Sequence, residues 1–224
     1  MVLKVLQKYS ETKDTFSLIF KKPHDLNFYP GQYLDLELPV NDKFGNTRAF
    51  TISSSPTEEF LRVTTKKGIS DFKKALEKLN PGDEIKTSHP AGTFILDETS
   101  PAVFIAGGIG ITPFRSILKY VSDNNLNTKI TLLYSNPSDD FLFKDELDTW
   151  VKEIKNLTIY YINTFNQNRL NQASLQKILN PKSLFIKYIF YLAGSHVFVD
   201  SLEKILLKLG VDKVNIRFDY FDGY

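Results

Sequence analysis

Cysteine is absent from this 224-residue chain. That excludes a disulfide scaffold, a thiolate zinc site and a cysteine-ligated iron–sulfur cluster. Histidine is scarce: His24, His89 and His196 lie far apart with no metal-ligand spacing, so each is read as structural. An excess of one charge is also lacking. The 28 basic and 26 acidic residues leave a net charge of +2, and no Lys/Arg run marks a nucleic-acid footprint. No stretch approaches the roughly 20 apolar residues of a membrane span. The opening residues Met1-Val2-Leu3-Lys4-Val5-Leu6 lack the charged region, apolar core and cleavage site of a signal peptide. The expectation is a cytoplasmic protein with no membrane span, no metal and no nucleic-acid partner.

What is present divides near residue 98. Before it, short segments rich in β-branched and aromatic residues (Lys4–Tyr9, Thr15–Phe20, Tyr33–Leu38, Arg48–Ser53, Leu61–Thr65 and Glu84–Thr87) are separated by turn chemistry such as Pro30-Gly31, Gly45-Asn46 and Pro81-Gly82-Asp83. Such spacing predicts an antiparallel barrel or sandwich. One helix interrupts it, with Ser70 as its cap and Phe72, Ala75, Leu76 and Leu79 at helical spacing. After residue 98 strands alternate with helices. Ala102–Ala106 is an uninterrupted small-apolar run, as in a strand buried on both faces. This alternation predicts a parallel sheet covered by helices. The expected domains are therefore 1–98 and 99–224.

Two motifs carry chemistry. Gly107-Gly108-Ile109-Gly110-Ile111-Thr112-Pro113 lies between the buried strand and a helix. Glycines let a backbone turn tightly and approach a ligand closely. Thr112 suits an N-cap and Pro113 the first helical position, so the helix amides could face a pyrophosphate. The match to the Gly-x-Gly-x-x-Gly pattern is partial, because Pro113 takes the third glycine position. Alone, the segment reads equally as a tight turn without a ligand. The second motif, Arg48-Ala49-Phe50-Thr51-Ile52-Ser53-Ser54-Ser55-Pro56, would alone be an edge strand running into a polar turn. Strand alternation sets Arg48, Phe50 and Ile52 on one face, and Ala49, Thr51 and Ser53 on the other.

Taken in this order, the motifs resemble the ferredoxin–NADP(H) reductase family, whose flavin motif is Arg-x-Tyr/Phe-Ser/Thr and whose nucleotide motif is Gly-Gly-x-Gly-x-Thr-Pro. Lys66-Lys67-Gly68-Ile69-Ser70-Asp71-Phe72 resembles its second phosphate segment. Pro90-Ala91-Gly92-Thr93-Phe94 resembles a family turn, and Tyr191-Leu192-Ala193-Gly194 a strand that usually ends in Cys-Gly. Asp219-Tyr220-Phe221-Asp222-Gly223-Tyr224 resembles the ending of some stand-alone members. The resemblance covers essentially the whole chain.

It implies a Greek-key β-barrel that binds FAD, joined to an α/β domain that binds NADH or NADPH. Arg48 would pair with the flavin phosphate, and Phe50 would stack on the isoalloxazine with Ile52 and Ser53 beside it. Thr51 would sit near flavin N5. Thr65, Gly68, Ile69 and Ser70 would hold the rest of the diphosphate, which points to FAD rather than FMN. Gly107, Gly108, Ile109, Gly110, Ile111 and Thr112 would cradle the dinucleotide pyrophosphate, with Ser135 and Asn136 nearby. Ala193, Gly194 and Ser195 would line the nicotinamide, Phe221 would cover the opposite flavin face, and Asp219 would lie near the transfer site. Thr51, Asp219 and Phe221 are thus the implied catalytic set. The chain departs from the family at Phe50 for Tyr, Ala193 for Cys, and Ser195-His196 for a proline turn.

Relatives often carry Arg after Ser-Asn. Here Pro137 follows Ser135-Asn136, and Asp139 and Asp140 come next. Two carboxylates repel a 2′-phosphate, which tilts the expectation to NADH unless Lys144 or Arg169 folds back. The implied function is an NAD(P)H-dependent flavin oxidoreductase with a separate electron acceptor: a ferredoxin, a flavodoxin, an oxygenase component or free flavin. The alternative is a non-catalytic flavin- or nucleotide-binding subunit of a redox complex. A flavin-free dehydrogenase would leave Arg48–Ser55 without a role.

Overall fold

The computed structural model describes residues 1–166, 169–179 and 188–221. Six strands form an antiparallel sheet: β1 (Val2–Ser10), β2 (Thr15–Lys21), β3 (Tyr33–Glu37), β4 (Thr47–Thr51), β5 (Phe60–Lys66) and β6 (Glu84–Thr87). Their order is β4-β3-β6-β1-β2-β5. The edge strands β4 and β5 are tied by the bridge Ile52–Val63 and by the Ser53 amide donating to the Arg62 carbonyl at 2.8 Å. The sheet therefore curls into a barrel, which leaves no long open edge. Leu18, Phe20, Leu34, Leu36, Ile52, Leu61 and Val63 fill it.

Helix α1 (Asp71–Lys78) adds Phe72 and Leu76 to this core. The Ser70 hydroxyl caps it by accepting from the Lys73 amide at 3.2 Å, and Asp71 and Lys78 suit its positive and negative ends.

The second sheet is parallel throughout: β7 (Ala102–Gly107), β8 (Ile130–Asn136), β9 (Leu157–Asn163), β10 (Ile189–Gly194) and β11 (Ile216–Tyr220), in the order β11-β10-β7-β8-β9. Alternate residues of β7 face opposite cores. Ala102, Phe104 and Ala106 pack toward α2 (Thr112–Asp123) and α3 (Lys144–Glu153). Val103 and Ile105 pack toward α4 (Gln172–Leu179) and α5 (His196–Lys208). Both faces are covered, which is why β7 reads as a continuous apolar run. The chain leaves β7 toward β8 and later returns to β10 on its other side. The carboxyl ends of β7 and β10 therefore flank a topological switch point, where open α/β sheets receive ligands. Among the described residues, no helix is long and apolar enough to cross a membrane.

The start of α2 differs from the sequence expectation. Thr112 is not the cap but the first helical residue, with φ −58° and ψ −45°. A 3-10 turn over Gly108–Ile111 precedes it, and the Thr112 hydroxyl donates back to the Ile109 carbonyl at 3.1 Å. The glycines permit that tight turn, so the helical end reaches back to Gly108, whose φ is +54°.

Candidate functional site

Three clusters of the expected residues lie along the barrel–sheet seam. The first surrounds Arg48. Its side chain is buried against the loop between β3 and β4. Nη2 donates to Asp42 at 2.6 Å, and Nη1 to the carbonyls of Phe44, Gly45 and Thr47 at 2.6, 3.0 and 2.8 Å. The guanidinium lies 5.2 Å from the Phe72 ring centroid. Asp42 also accepts from the amides of Phe44 and Phe72, each at 3.0 Å. Those two amides, ahead of the Arg48 charge, hold its carboxyl below the usual carboxylate range. Phe72 belongs to the first turn of α1. One carboxylate thus bridges a guanidinium and a helix N-terminus, the donor set that suits a phosphate.

Phe50 stacks on Phe72 with centroids 6.0 Å apart. The Lys73 ammonium sits 4.9 Å from the Phe50 centroid and donates to the Thr65 hydroxyl. Burial, then the charge of Arg48, lowers the Lys73 pKa to about 8. Gly68 packs under Lys73, whose Cγ would be 2.9 Å from an added Cβ. Ile69 is exposed. Arg48, Phe50 and Ile52 are buried as alternation expects, but Thr51 and Ser53 are buried too. The outer face of this strand end meets the α/β domain instead of water. Ser53 is instead covered by β5 of the barrel, donating to the Arg62 carbonyl at 3.0 Å and pairing with the Thr64 hydroxyl at 2.9 Å.

The second cluster crosses the seam. In sheet register Ala106, Ala193 and Asp219 form one row across β7, β10 and β11. The Thr51 hydroxyl approaches Asp219 Oδ2 at 3.5 Å from the barrel side. Burial raises the Asp219 pKa from 3.8 to about 7, partly offset by Thr51. The Phe221 amide donates to the Gly194 carbonyl at 2.9 Å, and the Phe221 ring packs half-buried on the sheet core. Ser195 is the extended residue just before α5, and His196, the first helical residue, stacks on Tyr220 at 4.5 Å. Residues 222–224 of the terminal motif lie outside the described residues.

The raised pKa of Asp219 ties stability to pH. The folded state binds this proton more tightly than the unfolded chain, so stability is fully present below about 4 and falls as pH rises through about 7. Asp219→Asn is therefore expected to flatten the melting-temperature profile across that window and to melt above wild type at pH 8. Melts from pH 4 to 8 check this, and parallel profiles would refute it.

The third cluster is the glycine turn. A Cβ at Gly110 would lie 2.2 Å from the Ala193 carbonyl oxygen, and one at Gly107 2.8 Å from Phe198. These two glycines bring the loops after β7 and β10 into contact. Gly108 opens instead to a crevice, with Lys66 Nζ 3.7 Å and Asn136 Oδ1 3.9 Å from an added Cβ. Asp14 and Lys66 line it from the barrel, and Asn136, Pro137 and Asp140 from the sheet. Ser135 is buried beside Gly107, its partner in register. Lys144 is paired with Asp148 on its own helix, and Arg169 is exposed.

A feature that carries no local sequence signal holds the seam together. Arg62 of β5 and Arg115 of α2 are both buried. Glu146 of α3 accepts from Arg62 Nη1 and Arg115 Nε, each at 2.8 Å. Arg62 also pairs with Glu11 and Arg115 with Glu58. Arg115 Nη1 reaches the Ser53 carbonyl at 3.1 Å, and Ser116 donates to the Ser54 carbonyl at 2.6 Å.

Residues 2–95 match the oxidoreductase FAD-binding domain and residues 104–204 the oxidoreductase NAD-binding domain. Flavohemoprotein A of Dictyostelium discoideum is 26% identical over 96% of this chain and 58% of its own length. The flavohemoprotein of Bacillus subtilis is 25% identical over 97% of this chain and 58% of its length. The chain thus spans about three fifths of these curated relatives. Among solved structures, the ferredoxin-NADP+ reductase of Plasmodium falciparum superposes with a TM-score of 0.84 at 21% identity, covering 98% of this chain and 95% of that one. The FAD/NAD-binding domain of nitric oxide dioxygenase from Vibrio cholerae gives 0.80 at 23% identity, covering 98% of both chains. Both likenesses establish the fold.

Proposed function

The chain belongs to the ferredoxin–NADP(H) reductase family of FAD-dependent NAD(P)H oxidoreductases, and from that premise we propose that it passes a hydride from NADH to bound FAD and the electrons on to a separate acceptor. The reading rests above all on the contact of Thr51 with Asp219, which joins the barrel motif to the sheet's switch point. The FAD-binding part is assigned to residues 1–98 and the nucleotide-binding part to 99–224.

The donor set around Arg48 fits a flavin diphosphate, because the Asp42 carboxylate already stands there as an anion between Arg48 and the Phe72 amide. Arg48, the amide end of α1 and Ser70 would hold the diphosphate, with Phe50, Thr65 and Gly68 beside it. When bound, FAD supplies a ring that accepts a hydride and releases electrons singly or in pairs. The chain's part is alignment. The Gly107–Thr112 turn, with Ser135 and Asn136, would seat the dinucleotide, and Ala193, Gly194 and Ser195 the nicotinamide. Phe221, held by its amide to Gly194, would cover the exposed ring face. The Thr51 hydroxyl donates to Asp219 Oδ2, and burial pushes that carboxyl up to about 7, which would lessen the negative charge beside the transferring hydride.

NADH is favoured over NADPH because Asp14 and Asp140 line the crevice beside Asn136 and Lys144 is paired with Asp148. Lys66 is the cation nearest Gly108 there. The acceptor is of the ferredoxin, flavodoxin, oxygenase-component or free-flavin class. Relatives named flavohemoprotein, and a solved cytochrome P450 reductase from Amycolatopsis, support delivery to a partner. Anaerobic addition of NADH is expected to bleach the yellow of the FAD-loaded protein, faster than equimolar NADPH. Unchanged colour would refute the reading, and a strong NADPH preference would refute the nucleotide assignment.

A further inference from the structure

We propose that Asp42 is an internal anion that competes with the flavin diphosphate for the Arg48–α1 cradle, so that the loop over residues 39–46 must release before the cofactor seats. The inference rests on the flavin reading above. In the structure the cradle is closed. The side chains of Arg48 and Asp42 are only 4% and 2% accessible. Arg48 Nη2 is committed to Asp42 and Nη1 to three carbonyls, two of them in the same loop. The Phe72 amide, the helix donor that faces the cradle, is committed to Asp42 as well. A phosphate cannot reach either group while Asp42 stays. A carboxylate and a phosphate cannot both remain on one guanidinium without repulsion.

The loop is built to let go. From Asn41 to Thr47 every residue is exposed except Asp42. Phe44 itself is 55% exposed. Opening therefore gives up the Asp42–Arg48 ion pair, the Phe72 amide bond and two Arg48 bonds to the loop carbonyls, together with the contacts of the partly buried Val40 and of the Phe44 ring over Arg48. Gly45, at φ +84° with open space around it, lets the segment pivot.

Charge favours the exchange. Arg48 and Lys73 bring two cations to the cradle, and Asp42 returns one negative charge. The lowered Lys73 pKa reflects both its burial and the neighbouring guanidinium. Asp71, the other carboxylate at this helix end, is exposed and 3.7 Å from Lys74. A diphosphate, with about two negative charges, balances Arg48 and Lys73 better than one carboxylate does.

The test compares wild type, Asp42→Asn and Arg48→Ala by flavin titration, with FAD and with riboflavin, which has no phosphate. Asp42→Asn is expected to bind FAD about 10-fold tighter and riboflavin within about 2-fold of wild type. Without flavin, Asp42→Asn is expected to melt below wild type. FAD affinity that is unchanged or weaker in Asp42→Asn would overturn the proposal and make Asp42 an organiser of Arg48. If Arg48→Ala still loses FAD in that case, the flavin reading survives alone. Refusal of FAD by all three proteins would sink both. Hydrogen exchange on wild type gives a check independent of any substitution. Saturation with FAD should speed exchange over residues 39–46 while slowing it in β4 and α1, and slower exchange in the loop would count against release.

Discussion

Arg115→Ala is expected to cost about 3–5 kcal/mol of stability, the range seen when one partner of a buried ion network is removed. In a chain of this size that corresponds to a fall of about 10 °C in melting temperature. The size follows from what Arg115 touches. It joins α2 to the barrel through Glu58 and the Ser53 carbonyl, and to α3 through Glu146. Burial alone would raise the Glu146 carboxyl, but Arg115 and Arg62 together carry it below the usual range. Losing Arg115 leaves Glu58 without its guanidinium fork, and Glu146 with Arg62 alone.

The network also restrains Phe143. This residue holds φ at +62°, a conformation that costs a non-glycine residue about 1–2 kcal/mol. Its ring lies 4.6 Å from the Arg62 guanidinium carbon and 5.9 Å from that of Arg115. Arg115→Lys keeps the charge but not the fork, so an intermediate loss is expected. Urea unfolding monitored separately by the two domains' signals measures the effect. A loss below about 1 kcal/mol would mean the pairs behave as surface ones.

The parts of this protein that sequence reading finds are those set by periodicity and by turn chemistry. The apolar run of β7 and the glycines that follow it predict a buried strand ending in a close-approach turn. Gly110 against the Ala193 carbonyl is the physical reason for that glycine. Strand alternation correctly turns Arg48 and Phe50 to one side of β4. It fails at Thr51, which Asp219 of the α/β domain covers, and at Ser53, which β5 covers as the barrel closes, because one strand's pattern encodes neither neighbour.

Asp42 escapes for the same kind of reason. It sits in a turn-rich stretch where an aspartate is ordinary, and its partners are Arg48 and an amide thirty residues away, brought together only when α1 closes on the barrel. Arg62, Arg115 and the three glutamates are each unremarkable in their own element. Their meaning is a property of the seam. Thr112 is the reverse case. A residue type that suits a cap becomes helical, because the glycine turn before it supplies earlier i→i+3 bonds.

Arg48→Ala is expected to weaken FAD binding by about 100-fold, the loss of one to two charge-assisted hydrogen bonds at a buried site. Riboflavin, with no phosphate to lose, should bind within about 2-fold of wild type. That contrast separates a lost phosphate contact from a damaged barrel. Arg48→Ala alone leaves the Asp42 carboxylate in place, still taking the Phe72 amide, so part of its effect would come from an anion without its guanidinium. Asp42→Asn added to Arg48→Ala removes that anion. If the cradle works through the guanidinium, the double variant should remain at least about 10-fold weaker than wild type for FAD, while the α1 amides give back part of the loss. Arg48→Lys should fall between, since an ammonium supplies charge without the planar fork. The decisive measurement is the ratio of FAD to riboflavin affinity across the four proteins. A ratio that does not move when Arg48 is removed would place the flavin phosphates elsewhere, and with them the site proposed for the barrel.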